Sequence, residues 1–315
     1  MNYAVGIDIG GTFIKAAVVQ SNGTIVIKRS IPTQSEDPAD VVFSRIYELI
    51  LQLLEQTKID MGRVVGVGIG IPGIVDFATG IAYDVPNLGW KNISVIAPLQ
   101  ERLPVPIYLD NDANVASLGE MWVGAAKGSR DVFCVTLGTG VGGGVIVDGR
   151  PLRGSHLLSG EIGHIVVMED GFDCRCGNKG CLETVASATG VRRLALHAIE
   201  QHEETILDQG TLDAEAIFAA ASQGDAVASK VIDQAVDVLG RGLGIMANLI
   251  DPEMIIVGGG MAAAGDALLE PLRTSFKKYT LRSLGDRIRI VPAVLGNDAG
   301  VVGAAKLSFD QVILI

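Results

Sequence analysis

Tyr3-Ala4-Val5-Gly6-Ile7-Asp8-Ile9-Gly10-Gly11-Thr12-Phe13-Ile14-Lys15 opens the chain with an apolar run, a glycine pair and a second apolar run that continues to Val19. Gly-Gly between two apolar stretches signals a tight hairpin. After Ser21-Asn22-Gly23 a third stretch at 25–28 extends it into a strand meander. The pattern returns later as an apolar strand at 131–137, a glycine-rich turn at 138–144 and a returning strand at 145–147. One copy in each half implies a weak internal duplication and two domains. A length of 315 residues, at roughly 150 per domain, agrees.

The spacing of apolar residues fills in the rest. A helix is expected from Asp37 as N-cap and Pro38 at its first position, because Val41, Val42, Ile46, Leu49, Ile50, Leu53 and Leu54 then share one face. The continuous apolar run at 64–71 reads as a strand buried on both faces. A further strand is expected at 103–109, ending at Asp110-Asn111-Asp112, with a helix at 115–123. An irregular segment at 160–183 precedes helices at 187–202, 213–221 and 225–250, a strand at 253–257, a helix, a strand at 288–292 and a helix at 298–309. Strands alternating with helices make this an α/β protein.

Composition excludes several classes of function. Apolar residues are 48% and charged residues 19% of the chain, an ordinary globular balance. Acidic residues outnumber basic ones 36 to 25, for a net charge of -11, so binding of nucleic acid through its phosphates is not expected. The most apolar region, 245–264, is interrupted by Asp251, Pro252 and Glu253, so no membrane span is expected. The start shows no basic segment or cleavage site of a secretory signal, and four cysteines do not make a disulfide framework. A cytoplasmic location is the expectation.

Three glycine loops follow strands. Asp8-Ile9-Gly10-Gly11-Thr12-Phe13-Ile14-Lys15 lets amide groups converge on an anion, with donors from Thr12 and Lys15 and with Asp8 placed for a water-held magnesium ion; a plain hairpin turn fits as well. Gly138-Thr139-Gly140-Val141-Gly142-Gly143-Gly144 carries more glycine than a structural turn needs. Gly258-Gly259-Gly260 lies between a strand and a helix, where either a nucleotide or close strand–helix packing explains it. Three such loops in an acidic chain favour a nucleotide with its metal ion.

Two clusters carry the remaining chemistry. Cys174, Cys176 and Cys181, with His164 ten residues upstream of the first, make a closed tetrahedral zinc set in which the metal orders the loop. Cys134 reads as an inert core thiol. In Asp110-Asn111-Asp112-Ala113-Asn114, Asp110 is either a helix N-cap or a carboxylate at the mouth of a site, and such a carboxylate accepts a hydroxyl proton in phosphoryl transfer. Glu161, His164 and Glu183 flank the zinc loop and suit a polyol.

The glycine loops, Asn111-Asp112-Ala113-Asn114, Glu161-Ile162-Gly163-His164 and the 174–183 run Cys-x-Cys-Gly-x-x-Gly-Cys-x-Glu together resemble the ROK family (repressors, open reading frames and sugar kinases), most of all its bacterial glucokinases, over essentially the whole chain. That resemblance implies the two-domain actin-like ATPase fold, built of ribonuclease-H-like halves around a central cleft. The smaller domain would be 1–114 plus 298–315, and the larger one 115–297 with the zinc loop and dimerisation helices. It implies Asp8, Gly10, Gly11, Thr12, Lys15, Gly138, Thr139, Gly140, Gly258 and Gly259 for MgATP, and Asp112 as catalytic base. Asn87, Asn111, Asp112, Glu161, His164 and Glu183 would hold the sugar, and His164, Cys174, Cys176 and Cys181 the structural zinc. The implied reaction is ATP-dependent phosphorylation of glucose at its 6-hydroxyl by a homodimer or homotetramer. Another hexose (N-acetylmannosamine, fructose or allose), a polyphosphate donor, and a non-catalytic sugar sensor are the alternatives. Family repressors carry a DNA-binding domain ahead of the first strand. Here that strand opens at Tyr3, so DNA binding is not expected.

Overall fold

The structure is a computed structural model and describes residues 2–201 and 204–312. It forms two compact units, Met1–Gly128 with Asp148–Ser159 and Val294–Ile315, and Ser129–Val147 with Gly160–Ala293. The first unit takes β1 (Tyr3–Ile9), β2 (Phe13–Gln20), β3 (Ile25–Pro32), α1 (Ala39–Thr57), β4 (Val64–Ile71), β5 (Ile74–Asp76), β6 (Ile81–Val85), β7 (Trp90–Ser94), α2 (Ile96–Gln100), β8 (Ile107–Asn111) and α3 (Asp112–Val123). After β9 (Val132–Leu137) and β10 (Val141–Val147) of the second unit, the chain gives β11 (Arg150–Pro151) to the first. The second unit then receives α4 (Glu183–Ala186), α5 (Ala188–Glu200), α6 (Ala214–Ser222), α7 (Ala226–Ile250), β12 (Met254–Gly258), α8 (Asp266–Tyr279), α9 (Arg282–Gly285) and β13 (Arg289–Pro292). Helix α10 (Ala299–Val312) belongs to the first unit.

In the first unit the main sheet runs β3-β2-β1-β4-β8, with β1–β3 an antiparallel meander and β4 and β8 parallel to β1. Alternation along β1 sends Val5, Ile7 and Ile9 into the core with Val42, Phe43, Ile46, Leu49, Ile50 and Leu53 of α1, and sends Ala4 into the core with Val301 and Ala305 of α10. Gly6 and Gly68 are register partners on β1 and β4. A Cβ on Gly6 would lie 1.8 Å from the Val301 carbonyl oxygen, and one on Gly68 1.7 Å from that of Ala304. Helix α10 therefore rests its backbone directly on the sheet.

Several expected boundaries shift, each for a local reason. Pro38, not Asp37, is the N-cap of α1, and the Asp37 carboxylate lies 3.1 Å from the Arg45 guanidinium. Strand β8 starts at Ile107 because Pro104 and Pro106 lack the N–H that a ladder needs. Helix α3 starts at Asp112, since Asn111 caps it through the amides of Ala113 and Asn114. The small antiparallel sheet β5-β6-β7 gave no sequence signal.

The second unit repeats the scheme in the order β10-β9-β12-β13, with β9 and β10 antiparallel and β12 and β13 parallel to β9. This matches β2-β1-β4-β8 of the first unit, as the duplicated strand–glycine–strand pattern leads one to expect. The glycine stretch is only partly a turn: Gly142, Gly143 and Gly144 sit in β10 opposite Thr136, Val135 and Cys134. A Cβ on Gly143 would approach the Gly160 carbonyl oxygen to 2.4 Å, so packing explains that glycine. Helices α5, α6 and α7 are capped by Ser187, Asp213 and Asp225 and share one apolar core. Helix α5 ends at Glu200, and His202, expected to close it, lies outside the described residues. Among the described residues no helix is long and apolar enough to cross a membrane.

Candidate active site

In the first unit the polar residues gather where β1, β4 and β8 end. Asp8 stands near the end of β1 opposite Lys15 of β2, whose ammonium lies 3.6 Å from its carboxylate. Burial raises the Asp8 pKa above its ordinary 3.8, and Lys15 opposes that shift. The Gly10 amide donates to the Phe13 carbonyl over 2.9 Å, closing the hairpin with Thr12 exposed at its tip. Buried Thr33 holds the turn from behind: its hydroxyl donates to the Gly10 carbonyl (2.6 Å) and its amide to the Thr12 carbonyl (2.9 Å). A Cβ on Gly11 would lie 3.2 Å from the Asn87 Cβ, so Asn87 flanks the same loop.

The turn from β8 into α3 carries the second group. Asn111 accepts the Ala113 amide (2.8 Å) through its side-chain oxygen and donates its amide group to the Gly73 carbonyl (3.1 Å). Asp112 takes the first helical position, with Oδ1 accepting its neighbour's amide over 2.9 Å. Asp110 is neither an N-cap nor a carboxylate at the site's mouth. It is 2% exposed and accepts both Nε (2.9 Å) and Nη2 (2.6 Å) of Arg153, a partner the sequence reading did not single out.

In the second unit the β9–β10 turn, the 160–183 segment and the end of β12 converge. The Gly138 carbonyl accepts the Ala188 amide (2.9 Å). The Gly138 amide donates to the Gly140 carbonyl (3.0 Å), and a methyl on Gly138 would meet no protein atom within 4 Å, so open space, not packing, goes with that glycine. On Gly140 a Cβ would lie 2.6 Å from Oε2 of Glu183. Thr139 is exposed. Gly258 ends β12, and Gly259, at φ +85°, lies against the backbone of Leu137, which brings the third loop onto the second.

Ligand atoms of His164, Cys174, Cys176 and Cys181 all lie within 4.8 Å of one another. His164 Nδ1 is 3.6 Å from Cys174 Sγ, and Cys176 and Cys181 sulfurs are 3.6 Å apart. Zinc–sulfur bonds of about 2.3 Å in a tetrahedron set neighbouring ligand atoms about 3.6–3.8 Å apart, so the four residues fit such an ion. Burial pushes the Cys181 thiol up to about 12 and raises Cys174, whereas the Asn178 amide lowers Cys176. With Nδ1 turned to the sulfurs, Nε2 of His164 is 3.9 Å from the exposed Glu161 carboxylate. Glu183 Oε1 accepts from the Cys174 thiol (3.2 Å) and lies 3.8 Å from His164 Nδ1. Every candidate residue thus falls into one of these two assemblies.

Among known protein families, the chain matches the ROK family over residues 4–311. It is 41% identical to a glucokinase of Halalkalibacterium halodurans, across 98% of this chain and 95% of that one. A Thermotoga maritima glucokinase is 36% identical across 98% of both chains. A ROK family glucokinase from Streptomyces griseus, solved with glucose and AMPPNP, superposes with a TM-score of 0.79 at 34% identity, covering 98% of this chain and all of that one. The two units described above are those of the actin-like ATPase fold.

Proposed function

The chain belongs to the ROK family, and from that premise we propose that it transfers the γ-phosphoryl group of ATP to the 6-hydroxyl of glucose, giving glucose 6-phosphate and ADP. The observation that carries the reading is the joint presence of a carboxylate at a helix start (Asp112) and an open glycine turn at a strand end (Gly138), in a chain similar to glucokinases over 98% of its length. The sugar hydroxyls are assigned to Asn87, Asn111 and Asp112 of the first unit and to Glu161, His164 and Glu183 of the second. Asp112 accepts the 6-hydroxyl proton as that oxygen attacks the γ-phosphorus in line. Amides of the Gly10–Thr12 and Gly138–Gly140 turns, other than those of Gly10 and Gly138 that are bonded within their turns, take up charge on the transferred group with Thr12, Thr139 and Lys15, and Asp8 holds the magnesium of MgATP through water. The adenosine is assigned to the loop at Gly258 and Gly259, beside the open space at Gly260.

His164, Cys174, Cys176 and Cys181 hold a zinc ion, which orders the 160–183 segment and supplies no reactive ligand position. His164 then keeps Nε2 for a hydroxyl, and Glu161 and Glu183 stay aligned beside it. We place the reaction in the cytoplasm, where the thiols stay reduced for the metal, and assign self-association as a dimer or tetramer to the helices of the second unit.

A coupled assay of ADP formation over glucose, N-acetylmannosamine, fructose and allose tests the activity. The expected result is a kcat/KM highest for glucose with ATP. Asp112→Asn keeps glucose binding in calorimetry and loses turnover by roughly a thousandfold or more. Substantial turnover by that variant overturns the base assignment, and failure to form ADP with any sugar overturns the kinase reading.

A further inference from the structure

We infer that Arg153 is a positioning residue for phosphoryl transfer: its guanidinium, forked onto the buried Asp110 carboxylate and stacked on Phe77, fixes the β8–α3 turn that presents Asn111 and Asp112. The inference rests on the proposed roles of those two residues.

The chain of contacts is short and entirely within the first unit. Arg153 Nε and Nη2 donate to one oxygen of Asp110, Oδ2, at 2.9 and 2.6 Å. The other oxygen, Oδ1, accepts the Asn111 amide at 2.8 Å and the Asn114 side-chain amide at 2.9 Å. Asp110 thus spends one oxygen on the cation and the other on the two residues that bracket Asp112 and Ala113. The guanidinium carbon lies over the Phe77 ring, 4.2 Å from its centre, just past β5. Asn111 is tied from the same side, through Gly73 ahead of β5. A planar, two-pronged cation held on a ring has few alternative positions, and a lysine does not reproduce it.

The energetics separate this pair from a surface ion pair. Asp110 is 2% exposed, and a buried carboxylate stripped of its paired cation is strongly unfavourable. Relief comes from rotation toward solvent, which withdraws the Oδ1 acceptor from the Asn111 amide and Asn114. The turn that aims Asp112 then loosens, and transfer depends steeply on the placement of its groups. In sequence, Arg153 stands eight positions before Glu161, in a stretch with no motif of its own.

The test is a double-mutant cycle on the full chain: Arg153→Ala, Arg153→Lys, Asp110→Asn and Arg153→Ala/Asp110→Asn, with Asp112→Asn alongside. Arg153→Ala is expected to lower kcat about 10- to 100-fold and raise the glucose KM several-fold, while the ATP KM stays within about twofold. Arg153→Lys restores part of the kcat. In the Asp110→Asn background, Arg153→Ala costs nothing further. A structural defect alone removes active molecules: kcat falls, both KM values hold, and active-site titration falls in step. That result overturns the inference, as do additive effects in the cycle or a kcat unchanged in Arg153→Ala. If Arg153→Ala does not fold, Arg153→Lys and Asp110→Asn carry the same readouts, and unchanged kcat and glucose KM in both overturn it. High turnover in Asp112→Asn is a separate failure, of the base assignment itself.

Discussion

Asp8 has an environment that works against its charge. Its pKa is raised by burial, with Lys15 compensating only partly, so the ionised form costs folding stability. For a group whose folded pKa lies above the unfolded one, the favourable contribution is complete below 3.8 and is lost as the pH rises through the higher folded value. Asp8→Asn removes that loss. Without magnesium or nucleotide, the variant is expected to gain in melting temperature relative to the parent chain as the pH is taken upward from 3.8, and kcat is expected to fall about 100-fold or more. Thermal melts across pH together with initial rates check both, and a variant that loses stability at neutral pH contradicts the assignment. In sequence Asp8 stands out as a carboxylate closing an apolar strand ahead of two glycines, a pattern that fits a plain hairpin as well as a magnesium site. Asp110 shows the limit. Its place after an apolar strand was visible, but its partner is 43 residues away and joined to it only by the fold. Nothing local to Asp110 distinguishes a capping carboxylate from one buried on an arginine.

Elements were read well where one physical cause sets them and poorly where several compete. Strand β4 was expected at 64–71 and runs Val64–Ile71, because a run buried on both faces leaves no other period. The three short strands β5–β7 are silent in the sequence, since half-exposed strands of three to five residues with glycine turns carry little apolar signal. Close packing of α10 was invisible for another reason: Gly6 and Gly68 are adjacent only across the sheet. Gly68→Ala places a methyl 1.7 Å from the Ala304 carbonyl oxygen, backbone that cannot rotate away. The expected cost is about 3 kcal/mol, read as a melting temperature lower by roughly 5–10 °C. A drop of under about a degree removes the claim that α10 is seated on bare backbone. The 160–183 segment, with its cluster of three cysteines and a histidine, is the other element with a sharp expectation. One zinc per chain is expected by elemental analysis, and Cys176→Ser or chelation is expected to release it and raise the glucose KM at least about tenfold, with a smaller change in the ATP KM. A metal-free protein with an unchanged glucose KM rules out the ordering role.

At the scale of the whole chain, the two units share a topology and the molecule carries a strong acidic excess. The shared strand order β2-β1-β4-β8 and β10-β9-β12-β13 accounts for the repeated strand–glycine–strand signature, because a hairpin leading a parallel array needs a turn at the same place in both copies. The acidic excess bears on the donor. With 36 acidic residues against 25 basic ones, the protein repels a long polyanion, and Lys28 is already engaged with Asp298 at 2.6 Å. MgATP presents a compact charge that amide-lined turns accept, whereas polyphosphate extends a charged tail along the acidic surface beyond any such turn. Repulsion of that kind reaches about 10 Å at 0.1 M salt and about 3 Å at 1 M. Rates with polyphosphate are therefore expected to be below about a tenth of those with ATP at low salt, and to rise as salt is added up to the point where the fold is affected. Rates with ATP change little over the same range. A polyphosphate rate that equals the ATP rate at low salt, or that falls as salt is added, shows a cationic track for the chain of phosphates and removes the electrostatic case for ATP as the donor.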